Sequence, residues 1–395
     1  MTPAILTRAR RTRSAIPPRN QGAVGLGTGM FDIFLVAAPG LENTLREEAA
    51  ARGFTNPVVT AGGVTVQGDW AEVWRANLQM RGAGRVLARI GEFRAFHLAQ
   101  LDKRSRKFPW GDVLRADVPV KVEAICKASK IYHAGAAIQR VEKALVEELG
   151  ATIAADAPIR LKLRIDDNLC TFSVDTSGES LHKRGHKEAV GKAPMRENLA
   201  AMFLRECGYN GSEPLVDPMC GSGTFVIEAA EMAAGLHAGR SRGFAFEQLA
   251  TFDAARWAAM RADQPATLPS VRFFGSDRDD GAIRMSIANA ARAGVAECTQ
   301  FTRAAVSDVQ RPDGPPGLVI VNPPYGARIG DKKLLFAVYG ALGKTLLERF
   351  KGWRVGMVTS DNGLAKSSGL PFKPAGPPVS FGGLKVKLFQ TDALR

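Results

Sequence analysis

No apolar run in this 395-residue chain approaches the roughly 20 residues that a bilayer-spanning helix needs, so a soluble protein is expected and a membrane partner is not. The five cysteines, at 126, 170, 207, 220 and 298, form no Cys-x-x-Cys pair. That spacing supports neither a zinc ribbon nor a disulfide framework, and it suits a reducing cytoplasm. His182 and His186 stand four apart, but Gly185 lies between them and no Glu occupies the metalloprotease position, so a basic linker touching RNA or cofactor is expected there rather than a metal site. Acids are missing altogether before Asp32, whereas Arg8, Arg10, Arg11, Arg13 and Arg19 fall in the same opening stretch. Such a segment is expected to be disordered. Its composition fits an RNA-binding tail, an upstream extension ahead of a start at Met30, or a transit peptide.

What is present is positive charge and enough apolar residues for two or three cores. Apolar residues make up 45% of the chain, and a net charge of +14 with a pI near 9.8 favours a polyanionic partner. Beyond the opening segment the charge clusters at Lys103, Arg104, Arg106 and Lys107, and again at Lys183, Arg184, Lys187 and Lys192, where phosphate contacts are expected.

The most informative stretch is Asn322-Pro323-Pro324-Tyr325, which follows the apolar run Leu318-Val319-Ile320-Val321, a buried strand opening into a loop. An exocyclic amine or amide is a poor nucleophile because its lone pair is delocalised. The Asn322 side-chain oxygen and the Pro323 carbonyl can each accept one N–H, localise that pair and aim it at an incoming methyl group, which is catalysis by position and electrostatics. Tyr325 would stack on a planar substrate. Pro323 and Pro324 preset the backbone of the loop.

About a hundred residues upstream, Asp217-Pro218-Met219-Cys220-Gly221-Ser222-Gly223-Thr224 reads as a strand running through a glycine turn into a helix. The glycines allow close approach to the backbone, and the helix N-terminus offers free N–H groups to a carboxylate such as that of S-adenosylmethionine. The loop has neither the Gly-x-Gly-x-x-Gly spacing of a dinucleotide fold nor the Gly-Lys-Ser/Thr of a P-loop. Val271 to Asp277 is a second short strand ending in an acid able to hold ribose hydroxyls. Thr302 to Asp308 is expected as a third, with Asp308 facing the adenine amine. Cys220, flanked by Met219 and glycines rather than by a base, reads as a loop-packing residue and not a nucleophile.

In that order, glycine loop, acid, acid and Asn-Pro-Pro-Tyr, the region resembles class I S-adenosylmethionine-dependent methyltransferases. A narrower resemblance lies in Leu181-His182-Lys183-Arg184-Gly185-His186, in Ala193 to Ala200, in Phe244-Ala245-Phe246-Glu247 and in Asn322 to Arg328. These look like the signature of bacterial rRNA guanine-N2 methyltransferases, in which a THUMP domain precedes the catalytic domain. The resemblance covers roughly residues 31–390. It implies an α/β protein with a disordered basic extension over 1–30, a ferredoxin-like module over 31–90, a THUMP RNA-binding domain over 91–178 and a Rossmann-like, seven-stranded methyltransferase domain over 179–395. With one catalytic domain, the bifunctional form of the family is not expected.

It further implies N2-methylation of a guanosine in 23S rRNA, with Asp217, Pro218, Cys220, Gly221, Ser222, Gly223, Thr224, Asp277, Asp308 and Asn198 at the cofactor. Lys103, Arg104, Arg106, Lys107, Lys183, Arg184 and Arg328 are expected at the RNA. A tRNA guanine-N2 methyltransferase is the nearest alternative, ahead of an adenine-N6 DNA or glutamine-N5 protein enzyme, which share Asn-Pro-Pro-Tyr, and of a non-catalytic RNA-binding assembly factor. The N-terminal half carries alternating strand and helix patterns. Among them, Ile159, Leu161, Leu163 and Ile165 alternate with polar neighbours, turn at Asp166-Asp167-Asn168 and return through Cys170, Phe172 and Val174 as a hairpin. Gly382 to Phe389 is expected as a lysine-bearing strand at a sheet edge.

Overall fold

A computed structural model describes residues 29–187, 195–264, 266–325 and 332–395. The first half begins with β1 (Phe31–Val36), α1 (Glu42–Ala51), β2 (Thr55–Thr60), β3 (Gly63–Gly68), α2 (Trp70–Gln79) and β4 (Val86–Arg94). It continues with α3 (Leu98–Arg106), β5 (Val120–Lys127), α4 (Ala134–Ala144), β6 (Ile159–Asp166) and β7 (Leu169–Asp175). The seven strands form one sheet in the order β2-β3-β1-β4-β7-β6-β5, whose β1 to β4 portion is the expected ferredoxin-like arrangement. Residue 90 lies inside β4, which pairs with β1 on one side and along most of its length with β7 on the other. Gly91 sits at an irregularity in that second pairing, where a side chain would collide with the Phe108 ring.

Alternation in the sequence sets the two faces of β6. Ile159, Leu161, Leu163 and Ile165 are buried among Phe108, Trp110 and Phe172 in the core, while their neighbours point outward. The hairpin turns through Asp167 and Asn168, whose φ angles of 49° and 62° are the left-handed values that a tight two-residue turn requires.

The second half holds α5 (Glu197–Glu206), β8 (Leu215–Asp217), α6 (Thr224–Ala233), α7 (Ala254–Ala262), β9 (Phe273–Asp277), α8 (Asp280–Arg292) and β10 (Thr299–Arg303). After these come β11 (Leu318–Val321), α9 (Lys332–Arg349), β12 (Arg354–Thr359), α10 (Asn362–Ser367), β13 (Val379–Phe381) and β14 (Leu384–Gln390). Its seven-stranded sheet has the order β10-β9-β8-β11-β12-β14-β13. The first five strands in that order are parallel, whereas β14 runs antiparallel to both neighbours, as expected of a Rossmann-like methyltransferase sheet.

Two expectations are corrected. The strand placed at Thr302 to Asp308 is β10, which ends at Arg303 because it pairs residue for residue with β9 and stops with it at Asp277. The lysine-bearing strand β14 is interior: the short β13 pairs outside it and forms the edge. Among the described residues no helix is long and apolar enough to cross a membrane.

The halves are joined by buried charge. Arg81, just after α2, donates to Glu228 at 2.9 Å and to Glu231 at 3.1 Å, both on α6, and all three side chains are at most 2% exposed. Arg184 donates to Glu228 at 3.0 Å and to the Arg81 carbonyl at 2.8 Å. Glu48 of α1 accepts the backbone N–H groups of Arg81 and Gly82, each at 2.8 Å. Burial alone would raise the Glu228 pKa, but the guanidiniums of Arg184 and Arg81 outweigh it and hold the carboxyl below its ordinary value. This acid therefore stabilises the fold fully above its unfolded pKa, and its contribution fades as the pH falls from there towards the depressed folded value. Removing one partner leaves charges buried and unpaired, so Glu228→Ala should cost about 3–5 kcal/mol, read as a lower urea midpoint at neutral pH.

Candidate active site

Open parallel sheets bind ligands beyond the carboxyl ends of their strands where the winding direction reverses. Here that point lies between β8 and β11, with β9 beside them. Val216 is level with Val319, so Asp217 closes β8 two residues short of the level at which Asn322 leaves β11.

The glycine loop joins β8 to α6. Gly223 adopts φ +82°, and a Cβ there would press within 3.1 Å of Ser286 and 3.2 Å of Phe301. The loop is fastened from outside. Cys220 N–H donates to the Ser276 carbonyl at 2.9 Å, and Gly221 N–H donates to Asp277 Oδ2 at 3.1 Å. Ser286 Oγ and Asn289 Nδ2 donate to the Gly221 and Ser222 carbonyls at 2.9 and 3.1 Å. A loop held this way presents a fixed backbone ahead of α6, whose first N–H groups have no partners within the helix. Lys187 reaches over the same turn, donating to Thr224 Oγ1 at 2.9 Å and to the Met195 carbonyl at 3.1 Å while pairing with Glu197 at 3.1 Å.

Three expected acids occupy three different environments. Asp217 is 2% exposed, and burial pushes its pKa up to about 8 against the pull of the Met219 N–H, 3.0 Å away, with the charge of Asp277 adding to the rise. Asp277 is half-buried and already accepts from Gly221 and Asp279 N–H groups. Asp308 lies in a turn beyond β10, exposed and accepting from Ser307 Oγ at 3.2 Å, so it is not at the end of a strand as expected. Cys220 is buried, with Sγ 3.8 Å from Ser286 Oγ, and burial drives its thiol pKa far upward, which leaves no thiolate to act as a nucleophile.

Beyond β11, whose four residues are all buried, Pro323 is buried and Asn322, Pro324 and Tyr325 are half-buried. Asn322 Oδ1 and Tyr325 Oη are shielded from solvent and have no hydrogen-bond partner among the described residues. Ser276 Oγ, beside Asp277, and Asn198 Oδ1 are in the same condition. An unsatisfied buried polar atom costs about 1–3 kcal/mol, and those of Asn322 and Ser276, at the carboxyl ends of β11 and β9, are placed to receive polar groups from a ligand. Burial also pushes the Tyr325 phenol up to about 12.

The expected RNA-facing cations divide. Lys103, Arg104 and Lys107 are exposed at the end of α3. Arg106 is held by Asp102, Glu147 and Glu148, and Lys183 is exposed but pairs with Glu179 at 2.7 Å. Arg184 is corrected outright: at 1% exposure, clamped to Glu228, it cannot reach a phosphate. Lys187, turned onto Thr224 and Glu197, is likewise unavailable. Arg328, Lys192 and the opening arginines lie outside the described residues. His182 is pushed down to about 4 by burial and by Arg196, and His186 is lowered by burial, so both are neutral at pH 7. Among the described residues no group of three His, Cys, Asp or Glu could hold a metal.

A seam groove of about 850 Å³ is lined by Arg85, Arg160, Lys183, Arg242, Glu179 and Glu247 among others. Arg242 spans it, donating to the carbonyls of Ser177, Glu179, Ser180 and Lys183. Neither Ser276 nor this groove was anticipated from sequence. A serine preceding the strand-end acid is a signal for the first; the second joins segments distant in sequence.

The raised Asp217 pKa makes a test. Between its ordinary value of 3.8 and about 8 the folded state holds a proton that the unfolded state has released, so this residue lowers stability as pH rises through that window. Asp217→Asn keeps the acceptor for Met219, and its melting temperature should equal that of the parent near pH 4 and exceed it at pH 8.

Residues 184–370 match a family described as RMKL-like, methyltransferase domain, and residues 32–87 match one described as RlmL ferredoxin-like domain. The ribosomal RNA large subunit methyltransferase K/L of Marinomonas sp. (strain MWYL1) is 33% identical over 376 residues, covering 90% of this chain. The chain spans about half the length of that curated relative, 52%. Among solved structures, a protein described as a possible methylase from Clostridium difficile 630 superposes with a TM-score of 0.82 at 28% identity, covering 93% of this chain and 99% of that one. SMU.472, a proposed methyltransferase complexed with SAH, gives 0.81 at 28% identity with the same coverage of each chain.

Proposed function

From the match of residues 184–370 to the RMKL-like methyltransferase domain, we propose that this chain transfers a methyl group from S-adenosylmethionine to the exocyclic N2 amine of a guanosine in 23S rRNA. The observation that carries this reading is Asn322 Oδ1, a shielded acceptor at the mouth of β11 without a donor among the described residues. An amine N–H supplies the missing partner.

The residues around β8 and β9 suit the cofactor. The restrained turn at Gly221 and Gly223 leaves room for a ligand against the backbone, the start of α6 attracts a carboxylate, and Asp277 with Ser276 Oγ suits ribose hydroxyls. Thr224 borders the same turn through its contact with Lys187, which also pairs with Glu197, the residue before Asn198, while Asp308 is exposed enough to meet the adenine edge. S-adenosylmethionine supplies a sulfonium-activated methyl group.

The work of the chain is to hold the acceptor in line with that group. Asn322 Oδ1 takes one N–H of the amine and the Pro323 carbonyl the other, which restores the lone pair and directs it. Neither is a strong base: the nitrogen gains the methyl group first, and the extra proton it then carries is lost to water. Tyr325, protonated at every physiological pH, lays its ring against the guanine after the base leaves its stack, at a cost of a few kcal/mol. The first sheet, as a THUMP-type half together with the ferredoxin-like module, grips the RNA by shape and phosphate. Such an enzyme would work in the cytoplasm on rRNA or a ribosomal subparticle.

Asn322→Ala should lower kcat by about a hundredfold or more while leaving S-adenosylmethionine affinity unchanged, measured by radiolabelled transfer and by calorimetry. A loss of both would refute the role given to Asn322. Cys220→Ala should keep its rate within the same order of magnitude. Nucleoside mass spectrometry of cells lacking the gene should show the loss of one N2-methylguanosine from 23S rRNA. Loss from tRNA alone would move the substrate to tRNA, and unchanged RNA would reject an RNA substrate.

A further inference from the structure

The alternation in β6 that buries Ile159, Leu161, Leu163 and Ile165 places Arg160, Lys162 and Arg164 on the opposite face of the first sheet. That face is uncovered: the side chains of Arg160, Lys162 and Arg164 are 43%, 31% and 53% exposed. On the neighbouring strand β5, Lys121, Glu123, Ile125 and Lys127 stand opposite Arg160, Lys162, Arg164 and Asp166 in parallel register. On β5 and β6 the face therefore holds five cations against two carboxylates, while Asp175 of β7, opposite Arg160, is taken by Arg85 at 2.7 Å. Glu123 takes Lys162 at 2.6 Å and Arg160 at 3.7 Å, and Asp166 takes Arg164 at 2.6 Å, which leaves a net positive strip. Level with Arg164, Ile125 is 68% exposed.

Outward residues of one strand recur about every 6.7 Å in a straight line. Three cations spaced that way follow a single sugar–phosphate backbone rather than a point anion, and Ile125, beside Arg164 on the neighbouring strand, offers an apolar contact next to them. The strip also has a direction, because Arg160 at its start is part of the wall of the seam groove, alongside Arg85, Lys183 and Arg242. That groove is also lined by Lys183 and Gly185, ahead of α5, and by Arg242, Gly243 and Phe244, beyond α6, and so connects the first sheet with the catalytic half.

We propose that the outward face of β5 and β6, continued by the seam groove, is a track for an RNA strand flanking the target nucleotide, with its phosphates held by Arg160, Lys162 and Arg164. This rests on the RNA-methyltransferase reading and names where that substrate runs. The track takes the place of the buried Arg184 as a phosphate-binding surface.

The test uses the full chain and two fluorescent probes, a short oligouridylate and an RNA hairpin, titrated at several salt concentrations. The combined variant Arg160→Gln, Lys162→Gln, Arg164→Gln should weaken oligouridylate binding about tenfold or more at low salt. It should also flatten the slope of log affinity against log salt by about 2, since each lost phosphate contact on a single strand contributes about 0.7. Its melting temperature should match that of the parent, because the changed side chains are exposed. Ile125→Ser should weaken the same probe without changing the salt slope. A comparison variant, Lys344→Gln, Lys351→Gln, Lys366→Gln, carries the same charge loss on the catalytic half and should leave the slope unchanged.

An unchanged slope in the β6 variant, with the parent still binding and methylating RNA, overturns the track and leaves the activity standing. An equal flattening in the comparison variant, or a β6 variant that binds normally but self-associates, also overturns it, the latter by assigning these charges to protection of the β5 edge. Binding of the hairpin alone overturns the single-strand track, and a parent that binds neither probe and methylates no RNA overturns both readings.

Discussion

The arrangement of this protein depends on a set of charges that have no contact with water. Arg81 and Arg184 come from the first half and the connecting segment, Glu228 and Glu231 from α6, and Glu48 closes the set by taking the backbone of Arg81 and Gly82. Separated, these groups would each carry a desolvation penalty of several kcal/mol, so sliding one half against the other has no cheap intermediate position. The helix so gripped is also the one whose first turn completes the glycine loop. Orientation of the halves and placement of the cofactor turn are thus one constraint, imposed from opposite ends of α6.

The crevice follows the contrary logic. At Asn322, Tyr325 and Ser276 polar atoms are shielded and without partners among the described residues, whereas Arg81, Arg184, Glu228 and Glu231 are matched. The contrast sets the two kinds of polarity apart: the matched charges belong to the architecture, and the unmatched acceptors belong to whatever enters. Rigid fastening of the loop through Ser286, Asn289 and Asp277 is what allows those acceptors to be held in wait instead of collapsing onto one another.

Much of this was legible in the sequence where local chemistry dictates geometry. An apolar run ending in Asn-Pro-Pro-Tyr has few conformations open to it, and the glycine turn between β8 and α6 needs a backbone that only glycine adopts freely. The readings that failed were those requiring knowledge of what lies across a gap in sequence. Arg184 looks like a surface cation because charge is countable and burial is not; its partner is 44 residues away and its second partner, the Arg81 carbonyl, is 103 away. Strand β10 was set too late because its end is determined by its pairing with β9, and β14 was taken for an edge because β13 is only three residues long. The outward cations of β6 were visible as polar neighbours in an alternating strand, yet only the sheet shows that nothing covers them.

Strand β4 belongs to both portions of the first sheet, and this bears on how the chain can be divided. A cut at residue 90 would give one fragment half of a nine-residue strand and strip the partners of Ser173, Val174 and Asp175 from β7 in the other. Each piece would then present open backbone N–H and C=O groups suited to pairing with the wrong molecule. The first sheet is for that reason a single heritable unit: the module at its start cannot be traded for another by recombination unless the newcomer brings its own copy of the shared strand.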